Sequence, residues 1–154
     1  AFKMPSESLE AASGGDDELV AERFAMLGEV ETDFTIFFRK LAQPTVESLR
    51  PAYYGNDLPR ARLEAWLERY VERSKDAAGR VERMNAANPK YVFRNYLAQE
   101  AIDALASGDA SVLERLMRVL KRPYDEQPAE TDLAARRPEW ARNRPGCSAL
   151  SCSS

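Results

Sequence analysis

The chain has 154 residues, 44% hydrophobic and 31% charged, with a net charge of -3. That balance suits a folded domain with its own core and argues against a disordered segment or a general nucleic-acid binder. Histidine is absent, which removes the commonest general base and metal ligand, and no apolar run is long enough to span a bilayer.

The N-terminus, Ala1 to Pro5, lacks the apolar centre of a secretory signal and does not begin with Met, so a piece of a longer polypeptide is expected. Residues 1–15 are rich in Ser, Ala and Gly and read as a flexible lead-in. Asp16, Asp17 and Glu18 then supply first-turn acids for a helix carrying Leu19, Phe24 and Leu27, which ends near Gly28. A second helix is expected from about Thr32 to Ala42. Phe34, Phe37, Phe38 and Leu41 share one face, and Pro44 stops it. Ser48 to Asn56 reads as a loop holding Tyr53 and Tyr54.

Asp57 and Pro59 open a third helix with Leu63, Trp66, Leu67, Tyr70 and Val71 as its apolar stripe. A fourth is expected over Lys75 to Ala86, with Ala78, Val81 and Met84 inward. Asn88-Pro89 has the form of another helix start, so a helix is expected over Asn88–Ile102 and on towards a left-handed cap at Gly108. Asn95 is then an expensive mid-helix choice beside Arg94 and Gln99. The last long helix starts at Asp109 or Ser111, places Leu113, Leu116, Met117 and Leu120 inward, and stops at Pro123. A helical turn near Thr131–Arg136 closes the pattern. No period-two alternation of useful length and no repeat occurs. The expectation is all-α: an irregular bundle of about six helices, a helical domain over 16–136, and an extended, partly disordered tail over 137–154.

Little here has the pattern of a catalytic site. The Phe34–Phe38 stripe and Trp66 with Tyr70 read as core. The pairs Asp16-Asp17 and Asp125-Glu126 read as caps and solvated turns. Gly14-Gly15 precedes acids that would repel a phosphate. The tail is more unusual. Arg136, Arg137, Arg142 and Arg144 surround Glu139-Trp140, and Cys147 and Cys152 follow. Two readings stand side by side: a loose basic tail, or a segment that docks through Trp140 and presents a thiol for redox exchange. Cys147 lies close enough along the chain to pair with Cys152, and is not obliged to.

Five segments occur in order: Asp33-Phe34-Thr35-Ile36-Phe37-Phe38-Arg39-Lys40-Leu41, the block from Asn88 to Ile102 (NPKYVFRNYLAQEAI), Arg122-Pro123-Tyr124-Asp125-Glu126, Arg137-Pro138-Glu139-Trp140 and Ser151-Cys152-Ser153-Ser154. Together they closely resemble the C-terminal region of the selenoprotein O (SelO, YdiU) family. The resemblance implies a much longer parent with a protein-kinase-like fold. That parent transfers AMP from ATP, with Mg or Mn, to Ser, Thr or Tyr hydroxyls of proteins. The nucleotide-clamping, metal-binding and catalytic residues of the family lie in the kinase-like core, which has no counterpart in this sequence. No catalytic, cofactor-binding or metal-binding residue is therefore expected in this chain.

Cys152 stands where animal members carry selenocysteine. The family implies that this position can pair with a thiol of the core and so confer redox control. The stretch from Trp140 to Cys152 is longer than is common in the family and contains Cys147. Asn88, Arg94, Asn95, Gln99 and Trp140 are read as structural, holding the tail or the interface with the core. The expected partners are the kinase-like core of the same parent and the parent's protein substrates, with neither nucleic acid nor membrane, in a cytoplasmic setting of bacterial type. The alternative is an autonomous helical interaction module without enzymatic activity.

Overall fold

The computed structural model describes residues 15–55, 58–75 and 78–147. The expected lead-in, save Gly15, and Cys152 lie outside those residues. Among them are seven α-helices and three 3-10 segments, with one isolated antiparallel bridge, Thr32 to Tyr53, as the only extended pairing. The all-α class is thus observed. The chain divides into two compact units between Asn88 and Pro89, inside the stretch read from sequence as one helical domain.

The first unit holds α1 (Gly15–Glu29), α2 (Phe34–Lys40), α3 (Val46–Leu49), α4 (Arg60–Ser74) and α5 (Arg80–Ala87). Asp33 caps α2, its carboxylate accepting from the Ile36 N–H at 3.0 Å. Phe37, Phe38 and Leu41 enter the core as their spacing requires, with Leu63, Trp66, Leu67 and Tyr70 of α4. Trp66 stacks on Tyr70 at 5.1 Å and donates its indole N–H to the Leu19 carbonyl at 2.8 Å, which fixes α4 along α1.

Several expectations give way to tertiary structure. Ser48 to Asn56 is not a plain loop. Thr45 caps α3, a 3-10 turn over Arg50–Ala52 follows, and Tyr53 is fully buried with its hydroxyl pushed up to about 12 by burial. The fourth helix starts at Arg80, not Lys75, because Gly79 takes a left-handed conformation at φ 65° just before it. Ala78 therefore lies outside that helix and is exposed, as is Val81, and Val71 and Phe24 also face outward.

The largest departure is the Asn88–Ile102 helix. Asn88 is instead the C-terminal cap of α5, and α6 spans Asn95–Ala106. Pro89 drives its predecessor into an extended conformation, and Asn88 sits at φ -116°, ψ 109°. The N–H groups of Lys90 and Tyr91 both donate to the Pro123 carbonyl, at 2.8 and 3.1 Å, so this strip pairs with a distant turn instead of coiling. Asn95 becomes the first residue of its helix, where its low interior propensity costs little.

The second unit holds α6, α7 (Ser111–Leu120) and 3-10 segments over Pro128–Ala134 and Glu139–Ala141. Tyr91, Tyr96, Leu97, Leu116, Val119, Leu133, Ala141 and Cys147 form its core. Met117, expected inward, is exposed. The segment 137–147 is not a loose tail: Ala141 and Cys147 are buried.

One clamp closes the first unit. The buried Arg39 guanidinium donates to the carbonyls of Asn85, at 2.7 Å, and Asn88, at 2.9 Å. Replacing it by Met in Arg39→Met strips both carbonyls of a charged donor and should cost about 2 to 3 kcal/mol. The measurement is a urea titration, where the midpoint falls and the slope is unchanged. An unmoved midpoint would refute the clamp.

Candidate functional site

The sequence-singled residues divide between the units. Asn88 belongs to the first. It is buried, its amide donates to the Met84 carbonyl at 2.9 Å, and its own carbonyl takes the Arg39 bond. Arg94, Asn95, Gln99 and Trp140 belong to the second. Arg94 is the half-buried cap residue of α6 and Asn95 begins that helix.

Gln99 and Trp140 meet through two residues that the sequence did not single out together. The Gln99 amide donates to one Asp103 oxygen at 2.8 Å, and Arg144 donates to the other at 2.7 Å. Arg144 also lies over the Trp140 ring at 5.4 Å, and Trp140 meets Tyr96 edge to face at 6.4 Å. The Gln99 bond, then Arg144, holds the Asp103 carboxyl below its usual range. Asp103 sits four residues beyond Gln99, and that helical spacing was the one signal that could have found it. Arg144 stood out from sequence only as one of four arginines around Trp140, with nothing to mark Asp103 as its partner. The segment 137–147 thus docks on α6 through an aromatic pair and a charged hydrogen bond, while Arg144 over Trp140 braces the segment itself.

Gly146 completes the docking. Its φ is 85°, and a Cβ there would lie 2.7 Å from the Gln99 side-chain oxygen. The left-handed conformation favours glycine, and an added Cβ would also oblige the end of the Gln99 side chain to move. The turn it makes places Cys147 in the core as a buried free thiol. Burial withholds this thiol from solvent reagents, whatever its chemistry. The expected pairing of Cys147 with Cys152 falls outside the described residues.

Beside this docked segment, α6, α7 and the 3-10 segment over Pro128–Ala134 line a groove containing Tyr96, Glu100, Arg115, Arg118, Asp132 and Leu133. Arg115 binds both Asp132 oxygens, at 2.8 and 2.6 Å, and Glu130 at 2.6 Å. Arg118 adds a second bond to Glu130 at 3.1 Å. These arginines hold both carboxyls below the ordinary range, Arg115 being the first cause in each. Glu100 goes the other way, raised first by burial and then by Asp132 and Asp103. Arginine thus engages two of the three acids beside the groove. Among the described residues no three of His, Cys, Asp and Glu gather in a metal-holding arrangement.

Two predictions follow from this geometry. In Gly146→Ala the left-handed strain alone is about 1 to 2 kcal/mol, so docking loosens and Cys147 should react with a thiol reagent about tenfold faster. An unchanged rate would show that the turn does not hold the segment. Asp132 and Glu130 have depressed values in the folded chain. Their contribution is complete above the unfolded values and is lost as pH falls through the folded ones. The difference in melting temperature between wild type and Arg115→Gln should be constant above about pH 5 and shrink below about pH 4. A difference that grows on acidification would contradict the assigned pairs.

Comparison with known proteins gives this architecture its context. The family described as protein adenylyltransferase SelO matches residues 4–121. A protein nucleotidyltransferase YdiU of Nitrosospira multiformis is 46% identical, matched over 100% of this chain and 34% of its own length. The proteins of the same name from Aromatoleum aromaticum and Rhodopirellula baltica are 46% and 45% identical over 94% and 90% of this chain, and 30% and 31% of theirs. The chain spans about a third of the length of these curated relatives. With the family match covering most of its length, including the α6–α7 hairpin, this chain belongs to the selenoprotein O (SelO) family.

Proposed function

We propose that this chain is the C-terminal helical accessory portion of a protein nucleotidyltransferase. The parent transfers AMP from ATP, with Mg or Mn, to Ser, Thr or Tyr hydroxyls of proteins. The observation that carries the reading is the family match over residues 4–121, joined to relatives about three times longer that bear the name protein nucleotidyltransferase. Nucleotide, metal and catalysis belong to the part of the parent that this sequence does not include. Within the chain, arginines already occupy the acids that converge on α7, in keeping with a supporting role.

Cys152 acts as a redox thiol whose partner is a cysteine of the catalytic core. No helix among the described residues is long and apolar enough to cross a membrane. The parent works in the cytoplasm of a bacterial cell, where such a thiol is kept reduced until oxidative stress.

The test uses ATP labelled at the α-phosphate, Mn or Mg, and a mixture of acceptor proteins. The full-length parent should label acceptors and the 154-residue chain alone should not. Labelling by the chain alone, surviving repurification, overturns the assignment. Cys152→Ser in the parent should abolish the response of transfer to a dithiol reductant, and a response that persists removes the redox role.

A further inference from the structure

The α6–α7 hairpin carries two unlike sides. On α6, Tyr96, Leu97 and Ala101 are buried, and on α7, Leu116 and Val119. To one side of this core stripe lie the charged residues of the groove, Glu100, Arg115 and Arg118 among them. On the other side the spacing is again helical. Ala98, Ile102 and Leu105 follow at steps of four and three on α6, and Leu113, Met117 and Leu120 at the same steps on α7. None of the six is charged, in a chain where 31% of residues are. Yet Ile102 is 57% exposed, Met117 51% and Leu105 43%. Exposed apolar side chains grouped in this way on two packed helices normally mark a surface that something covers.

We infer that this face is the docking surface for the remainder of the parent polypeptide. The inference rests on reading the chain as part of a longer nucleotidyltransferase. Two observations choose this occupant. The chain accounts for about a third of its relatives' length, so a large body of sequence is available to cover it. The face also has the composition of a permanent interface. Its six residues carry no charge, whereas surfaces that meet a partner only in passing stay about as polar as ordinary surface. Both helices lie within the family match, as an interface built into the parent requires. The charged groove is lined by other residues of the two helices, Glu100, Arg115 and Arg118 among them.

The experiment places single thiols on the face. In a background with Cys147→Ala and Cys152→Ser, the variants Ile102→Cys, Met117→Cys and Glu114→Cys are made in the 154-residue chain. The first two are also made in the full-length parent. In the isolated chain, thiols at 102 and 117 should react with a maleimide as fast as the thiol at 114 on the charged side. In the parent they should react at least about tenfold more slowly, since modification then needs a local opening. Equal rates in chain and parent overturn the inference. Protection in the isolated chain that rises with concentration, together with a doubled mass in light scattering, assigns the face to a second copy and also overturns it. AMP transfer is read separately. A parent that protects both thiols but transfers nothing upholds the docking face and defeats the proposed activity.

Discussion

Two tyrosine hydroxyls organise the second unit. Tyr91 donates to the Gln127 carbonyl and Tyr96 to the Ala135 carbonyl, each at 2.9 Å. The two bonds bracket the 3-10 segment over Pro128–Ala134, a stretch whose short helical turns satisfy few of their own carbonyls. Both rings are also buried in the core. Each tyrosine therefore serves as apolar filler and as a partner for backbone that would otherwise need water. With that segment pinned, Asp132 and Glu130 come within reach of Arg115, and the chain continues to Trp140 and Arg144 on α6.

The same economy appears at α6 itself. One face of this helix takes Tyr96, Leu97 and Ala101 into the core, another receives Trp140 and Arg144 through Tyr96 and Asp103, and a third presents Ile102 and Leu105 to the outside. A helix apolar or engaged around so much of its circumference departs from the single apolar stripe of an ordinary surface helix.

Among the sequence patterns, stripes with strong aromatic spacing survived folding. Phe37, Phe38 and Leu41, and Leu63, Trp66 and Tyr70, went to the core as periodicity required. Patterns that failed did so where a short or distant interaction won. Val81 and Met117 fit an inward spacing and face out, because spacing defines a stripe and neighbours decide how much of it is covered. The strip after Pro89 looked like a helix start, yet its N–H groups found the Pro123 carbonyl, more than thirty residues away. Asn88, Asn95 and Gln99 stood out from sequence as polar residues in an apolar pattern, and each came from a different cause: a helix C-cap, a helix start and a carboxylate partner.

The sequence by itself determined the helical class, the aromatic core of the first unit and the family. Those depend on local spacing, on residue volume and on motifs read in order, all of which are written along the chain. Only the tertiary structure decided where α6 begins, that residues 137–147 lie down on it, and that Cys147 is a buried thiol at the end of a glycine turn. Those outcomes depend on single hydrogen bonds and close approaches between residues far apart in the chain. No local pattern encodes which carbonyl will be waiting when the backbone arrives.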